Sequence, residues 1–191
     1  MLNKKETIEI LKKTNSLLDG HFILSSGLRS EKYLQCAQLM MHPNLAEKVC
    51  NSLAEKINSK KIDFDLIASP AIGGILVGYQ VAKLLNIPNI FVERVNNKFH
   101  LRRGFDCKNK KILIVEDVIT TGKSSIECAN CLENIGGKIM GYACIVDRSE
   151  GKSKISNIIS QINFNIPTFS ENNLPDHLKK IEAIKPGSRK I

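Results

Sequence analysis

The stretch Lys111-Ile112-Leu113-Ile114-Val115-Glu116-Asp117-Val118-Ile119-Thr120-Thr121-Gly122-Lys123-Ser124-Ser125 constrains this chain more than any other. Ile112 to Val115 is an uninterrupted apolar run. It suits a strand buried on both faces, and hence a parallel sheet covered by helices. The two carboxylates that follow predict the strand's end at Glu116 or Asp117. A small, hydroxyl-rich turn comes next, and a helix is predicted from about Lys123 to Ile135, stopped by Gly136 and Gly137. Backbone N–H groups at such a turn and helix N-terminus suit a phosphate. Adjacent carboxylates suit sugar hydroxyls, a cationic transition state or a metal. A ligand carrying both a phosphate and a ribose satisfies both halves.

Two rival phosphate sites fail on spacing. Gly122-Lys123-Ser124 matches the end of a Walker A loop, but that loop needs a glycine five residues before Gly122, where Asp117 stands. An anionic side chain at that mouth would repel a triphosphate. A dinucleotide fold is unsupported, since no G-x-G-x-x-G follows any candidate strand. A plain helix cap by Thr120 or Thr121 is compatible with phosphate binding.

The same alternation runs along the chain. A first helix is predicted over residues 4–14, and a hairpin over 21–36 with its turn at Ser25 to Ser30. Leu45, Val49, Leu53 and Ile57 recur at helical spacing between Pro43 and Ile57. Leu66 to Ser69 reads as a short buried strand, and Gly73-Gly74 opens a helix through Leu85. Ile90 to Val92 and Ile139 to Val146 read as further strands. A polar, basic stretch from Arg94 to Gly104 reads as a loop between two strands, and a short helix lies near Leu178. This β–α order predicts an α/β fold with a central, mainly parallel sheet flanked by helices. Ligands of such sheets bind at the carboxyl ends of strands, here Ser69, Glu93, Glu116 and Asp147.

The chain has 191 residues, enough for one domain, and no apolar run reaches the length of a membrane span. Its lysine-rich start lacks the apolar region of a secretory signal, so a cytoplasmic protein is expected. Six cysteines are present, with Cys128 and Cys131 in CxxC spacing. No second pair completes a zinc set, and free thiols are expected. The net charge of +9 comes with only 5% aromatic residues. Solvated lysine faces and a cleft for a small polyanion account for it, and neither nucleic acid nor membrane is expected as a partner.

Val115 to Ser124 resembles the phosphoribosyl-pyrophosphate (PRPP) motif of type I phosphoribosyltransferases, above all their orotate branch. Gly20-His21-Phe22-Ile23-Leu24-Ser25-Ser26-Gly27, with Ser30 and Tyr33, resembles that branch's N-terminal hood. Pro70-Ala71-Ile72-Gly73-Gly74-Ile75 resembles its pyrophosphate loop, Ile145-Val146-Asp147-Arg148 its base-recognition strand end, and Lys185-Pro186-Gly187-Ser188-Arg189 one bacterial form of its terminus. The resemblance implies a single domain over residues 1–191, with a hood of about 1–40 plus part of the C-terminal tail, and a core of about 41–165.

It also implies roles. Glu116, Asp117, Val118, Ile119, Thr120, Thr121, Gly122, Lys123 and Ser124 would bind the ribose and 5′-phosphate of PRPP. Ala71, Ile72, Gly73 and Arg94 would bind its pyrophosphate. Arg148, Thr120, Ser26 and Tyr33 would bind orotate. Asp117, Lys98 and His100 would be catalytic, the last two on a mobile loop that closes over the neighbouring subunit of a homodimer. Mg²⁺ would be held mainly by PRPP and water, without a dedicated protein cage. The implied reaction is transfer of the phosphoribosyl group to orotate, giving orotidine 5′-monophosphate and pyrophosphate in pyrimidine biosynthesis. A purine-base phosphoribosyltransferase and a PRPP- or nucleotide-sensing regulator on the same fold are the alternatives. This chain departs from many members where Ser25, Gly73 and Val95 replace lysines. Arg29, Arg102 and Arg103 are the nearby cations left to compensate.

Overall fold

The structure, a computed structural model, describes residues 1–24 and 26–186. Ser25 in the hood turn, and Gly187, Ser188 and Arg189 of the terminal motif, lie outside the described residues. Helix α1 (Lys4–Lys13) opens the chain with Asn3 and Glu6 in a reciprocal capping box. Strands β1 (Leu17–Ile23) and β2 (Arg29–Leu34) form the expected hairpin, with β1 beginning earlier than the apolar triplet suggests. The short α2 (Cys36–Met40) leads into α3 (Pro43–Ser59), which carries proline in its first turn, where no N–H is missed.

The core follows as β3 (Leu66–Pro70), α4 (Gly73–Leu85), β4 (Asn89–Val95), β5 (Lys98–Leu101), β6 (Lys111–Ile119), α5 (Lys123–Glu133), β7 (Lys138–Asp147) and β8 (Ile159–Asn163). Six strands make one sheet in the order β5-β4-β3-β6-β7-β8. Every pairing is parallel except β4 with β5. A second sheet joins β1, β2 and β9 (Thr168–Phe169). The tail then passes through α6 (Asp176–Lys179) and returns to the hood. The Ile184 N–H donates to the His21 carbonyl at 2.9 Å, and the Ile23 N–H to the Ile184 carbonyl at 2.8 Å. Among the described residues, no helix is long and apolar enough to cross a membrane.

Alternation along β6 builds the core. Leu113 and Val115 pack with Val49, Leu53, Val77 and Val81 of α3 and α4, while Ile112 and Ile114 pack with Cys128, Ala129 and Leu132 of α5. Each fully buried aliphatic side chain contributes about 1.5–3 kcal/mol, so these two layers anchor the strand that carries the acids. β6 does not stop at the acids. It runs on to Ile119 because β7 continues beside it, pairing Val146 with Val118 and Asp147 with Ile119.

The stretch expected to be a loop after Arg94 is instead a hairpin. Val95 pairs with Lys98 across the two residues Asn96 and Asn97, whose φ angles are 49° and 63°. Two consecutive left-handed residues make the tight turn that suits the twist of paired strands. Phe99 is buried while Lys98 and His100 are exposed, a period of two that marks a strand. We expect Asn97→Val to destabilise this hairpin by about 1–2 kcal/mol, because a β-branched residue resists positive φ. Asn97→Gly should be neutral or slightly stabilising. Hydrogen exchange of the β5 amides checks this: faster exchange should appear in the valine variant alone.

Candidate active site

A cavity of about 150 Å³ opens at the carboxyl end of β6, lined by Glu116, Val118, Ile119, Thr120, Thr121, Gly122, Lys123 and Ser124. These are eight of the nine contiguous residues expected to hold ribose and 5′-phosphate. Gly122 is the N-cap of α5 with φ of 76°, and a Cβ there would lie 2.6 Å from the Ser153 hydroxyl. Only glycine fits that bend and that gap. The bend leaves the first N–H groups of α5 without intrahelical acceptors, beside the positive end of the helix dipole. The Lys123 N–H donates to the Thr121 hydroxyl at 3.3 Å.

The two acids diverge, because neighbouring residues of a strand face opposite ways. Glu116 lies on the α5 side and accepts a hydrogen bond from the buried Ser125 hydroxyl. Its carboxyl is pushed up to about 7, chiefly by burial, with a further upward push from Asp117; the Ser125 bond and Arg94 act the other way. Asp117 lies on the α4 side and is the one residue of the nine that does not line the cavity. Burial raises its pKa too, against the Val118 N–H, which donates to its carboxylate at 2.9 Å.

Asp117 faces the predicted pyrophosphate loop. A Cβ on Gly73 would lie 2.7 Å from the Asp117 carboxylate. In this chain a residue with a side chain at position 73 would displace that carboxylate. The lysine that relatives are expected to carry there is therefore incompatible with the present position of Asp117. Ala71 is half-buried, and Ile72 is 86% exposed at the entry to α4.

Arg148 is tied to the same strand end. Its backbone N–H donates to the Ile119 carbonyl at 2.8 Å, next to the cavity wall. Its Nε is buried without a hydrogen-bond partner, and burial lowers its pKa. Glu150, two residues on, pairs with Lys152 instead of Arg148. Within the hood, Tyr33 is half-buried against Phe22, with ring centroids 5.7 Å apart, and Ser26 is exposed in the turn.

The basic hairpin is engaged differently from expectation. Arg94 stacks on Phe99 at 4.0 Å, donates to the Asn97 carbonyl at 2.8 Å and pairs with Glu127 of α5. Lys98 and His100 are exposed on the edge strand. The cations left to compensate for missing lysines are also paired, Arg102 and Arg103 with Glu93, and Arg29 with Glu171. Ser125 and Glu127 are the two residues at this site that sequence reasoning missed. Their partners Glu116 and Arg94 stand nine and thirty-three residues away, and no local pattern announces either contact. All six cysteines are free thiols, five of them buried and Cys131 partly so.

Comparison with known proteins gives a consistent result. The family described as the phosphoribosyl transferase domain matches residues 37–175. An orotate phosphoribosyltransferase of Brucella ovis is 40% identical over 192 residues, covering the whole of both chains. The crystal structure of orotate phosphoribosyltransferase from Aeropyrum pernix superposes with a TM-score of 0.69 at 23% identity, covering 82% of this chain and 92% of that one. The Mycobacterium tuberculosis orotate phosphoribosyltransferase, solved in complex with PRPP, superposes with a TM-score of 0.64 at 20% identity, covering 82% and 95%.

The raised pKa of Glu116 has a stability consequence. Between its ordinary value of 4.5 and about 7, the folded protein holds a proton that the unfolded chain has released. This contribution is complete below the unfolded value and is lost as pH rises through the folded one. Relative to Glu116→Gln, the wild type should lose on the order of 2 kcal/mol between about pH 5 and about pH 8. Urea midpoints of both proteins at the two pH values measure it, and parallel changes would remove Glu116 as the cause.

Proposed function

The chain belongs to the orotate phosphoribosyltransferase family, and we propose that it joins N1 of orotate to C1 of PRPP, releasing pyrophosphate and forming orotidine 5′-monophosphate. One observation carries this reading beyond family membership. A phosphate-sized cavity with an acid on its wall lies next to Arg148, a half-buried arginine whose buried Nε has no partner and whose backbone is tied to the same strand end.

The roles follow from the chemistry of each group. Thr120 to Ser124 receive the 5′-phosphate on free N–H groups and hydroxyls, with the helix dipole favouring the dianion. Glu116 and Asp117 flank the ribose, one from each face of the strand. Their negative charge favours the positive character that C1 gains as its bond to pyrophosphate breaks. An electron pair on orotate N1 forms the new bond to C1, the C1–O pair leaves with pyrophosphate, and the N1 proton passes to water. Backbone groups of Ala71, Ile72 and Gly73 meet the pyrophosphate. Arg94 exchanges Glu127 for that anion, and Lys98 neutralises charge on it. His100 supplies a proton to it. Val118, Ile119 and Lys123 complete the cavity wall.

Mg²⁺ would arrive with PRPP, held mainly by substrate oxygens and water rather than by a dedicated protein cage. It would supply charge neutralisation on the pyrophosphate. The free thiols suit a reducing compartment, and we place the protein in the cytoplasm.

Orotate differs from uracil by one carboxylate, so discrimination requires a group that binds that anion. Arg148 has an unpaired donor for it, and a planar fork suits a carboxylate. Thr120, Ser26 and Tyr33 complete the base site. Arg148→Ala should raise the orotate KM or lower kcat by at least roughly tenfold, from the loss of about 1.5–3 kcal/mol in a charge-assisted bond. The PRPP KM should change much less, and lysine should rescue only in part. A turnover assay with orotate, adenine, guanine and xanthine sets the base; a preference for a purine would sink the assignment.

Assembly as a homodimer is the second part of the proposal. Ile72, Leu76 and Tyr79 are 86%, 54% and 62% exposed at helical spacing along α4, an apolar face continuous with the pyrophosphate loop. The proposed dimer buries this face against a second copy and has the exposed Lys98 and His100 serve the partner's site. The test mixes inactive Lys98→Ala with inactive Asp117→Asn subunits. Sharing predicts that hybrids regain one intact site each, whereas no recovery after demonstrated subunit exchange would show that each chain uses its own Lys98.

A further inference from the structure

Ser125 has no place in the phosphate cradle. It is fully buried in the first turn of α5, and its side-chain oxygen does one thing among the described contacts: it donates to Oε2 of Glu116. A serine at this depth would ordinarily be replaced by an apolar residue at little cost, because the helix already supplies its own backbone bonds. Here the hydroxyl meets the carboxylate on the cavity wall. On the phosphoribosyl reading above, we propose that Ser125 is the positioning residue for Glu116. It fixes one carboxylate oxygen and leaves the other free to accept from a ribose hydroxyl.

Three constraints support this. First, a glutamate side chain turns about several bonds, and a site that must hold one rotamer has to restrain them. The Ser125 bond does so from the first turn of α5. Second, a ribose hydroxyl needs an acceptor here, and a protonated carboxyl offers a donor instead. Burial pushes Glu116 towards the protonated form, while a donated hydrogen bond stabilises the charged form. Third, the other groups around Glu116 do not substitute for Ser125. Asp117, next in the strand, pushes the pKa the wrong way. Cys128 of α5 and Cys144 of β7 are thiols whose own pKa values are raised, chiefly by burial, so both stay neutral. Arg94 of β4 favours the charged form, but Glu127 and the Asn97 carbonyl hold its guanidinium. When Arg94 turns to pyrophosphate, Ser125 remains the fixed donor on Glu116.

Two measurements test the proposal. In the ligand-free protein with ¹³C-labelled glutamate carboxyls, Glu116→Gln identifies the Glu116 signal. It should titrate near the value of about 7 expected for this site. Ser125→Ala should move that titration up by about one pH unit, a tenfold change in proton affinity. Ser125→Thr, which keeps the hydroxyl, should restore most of it. Ser125→Cys, close to serine in size with a weak donor, supplies the same upward shift if the alanine variant does not fold.

In turnover, Ser125→Ala should lose about tenfold in kcat/KM for PRPP at neutral pH, recovering as pH rises past the shifted value, with the orotate KM nearly unchanged. An unshifted Glu116 titration, or a loss of equal size at every pH, overturns the positioning role. Absence of turnover by the wild type with any base would overturn the phosphoribosyl reading and the ribose role with it. The NMR titration separates that failure from a failure of the Ser125–Glu116 coupling.

Discussion

The site depends on one constraint: a strand buried on both faces must alternate its side chains between two helical layers. β6 obeys it for four apolar residues and then keeps alternating through two acids. Packing of Leu113 and Val115 against α3 and α4, and of Ile112 and Ile114 against α5, locks the register. A slip of one residue would exchange every side chain between layers. It would turn Glu116 away from Ser125 and Asp117 away from Gly73. The geometry of the acids is thus inherited from the apolar residues before them. The adjacent pair is better understood as two separate carboxylates, one per face, than as a single bidentate group.

Holding both acids this way is costly, since burial disfavours their charged forms. The raised pKa values of Glu116 and Asp117 record that cost. The fold offsets it locally and unequally. Glu116 has a hydroxyl donor, a cation within reach and the N-terminus of α5 close by. Asp117 has one backbone N–H and a glycine that leaves it room. A ligand bringing hydroxyl donors and a developing positive charge would offset that cost, which is how a preorganised site favours a transition state over solvent.

The fold was legible wherever one periodicity dominated. The buried β6 run, the helical spacing of α3 and the glycines at α4 all gave elements in the right places. The cavity residues were legible because they are contiguous. What was not legible needed either a weak local signal or a distant partner. Asn96-Asn97 is such a weak signal: two residues that tolerate positive φ, flanked by alternation in Phe99 and His100, mark a hairpin, but the density of charge suggested a solvated loop. β8 was missed because Ile159 to Asn163 lies between polar stretches and gains its place only by pairing with β7. Ser125 and Glu127 were invisible because a strand-to-helix contact has no sequence spacing of its own.

On the proposed reaction, charge accounting requires the hairpin's arginines to exchange partners. The resemblance implies lysines at three positions where this chain has Ser25, Gly73 and Val95, so on the proposed reading fewer cations would face the pyrophosphate. The arginines nearby do not stand free. Arg94 is held by Glu127, and Arg102 and Arg103 by Glu93. Exposed pairs of this kind are weak, typically up to about 1 kcal/mol, because water and salt screen them. A pyrophosphate carries several charges into a drier site and outcompetes such partners readily. The carboxylates of Glu127 and Glu93 therefore store the cations at little cost without sequestering them. On the proposed reading, releasing Arg94 removes its ion pair with Glu127 of α5, while Phe99 stays packed on that helix, so anion binding is coupled to the loss of this one tie. A chain with fewer fixed lysines depends on that coupling more heavily than one whose cations already line the pocket.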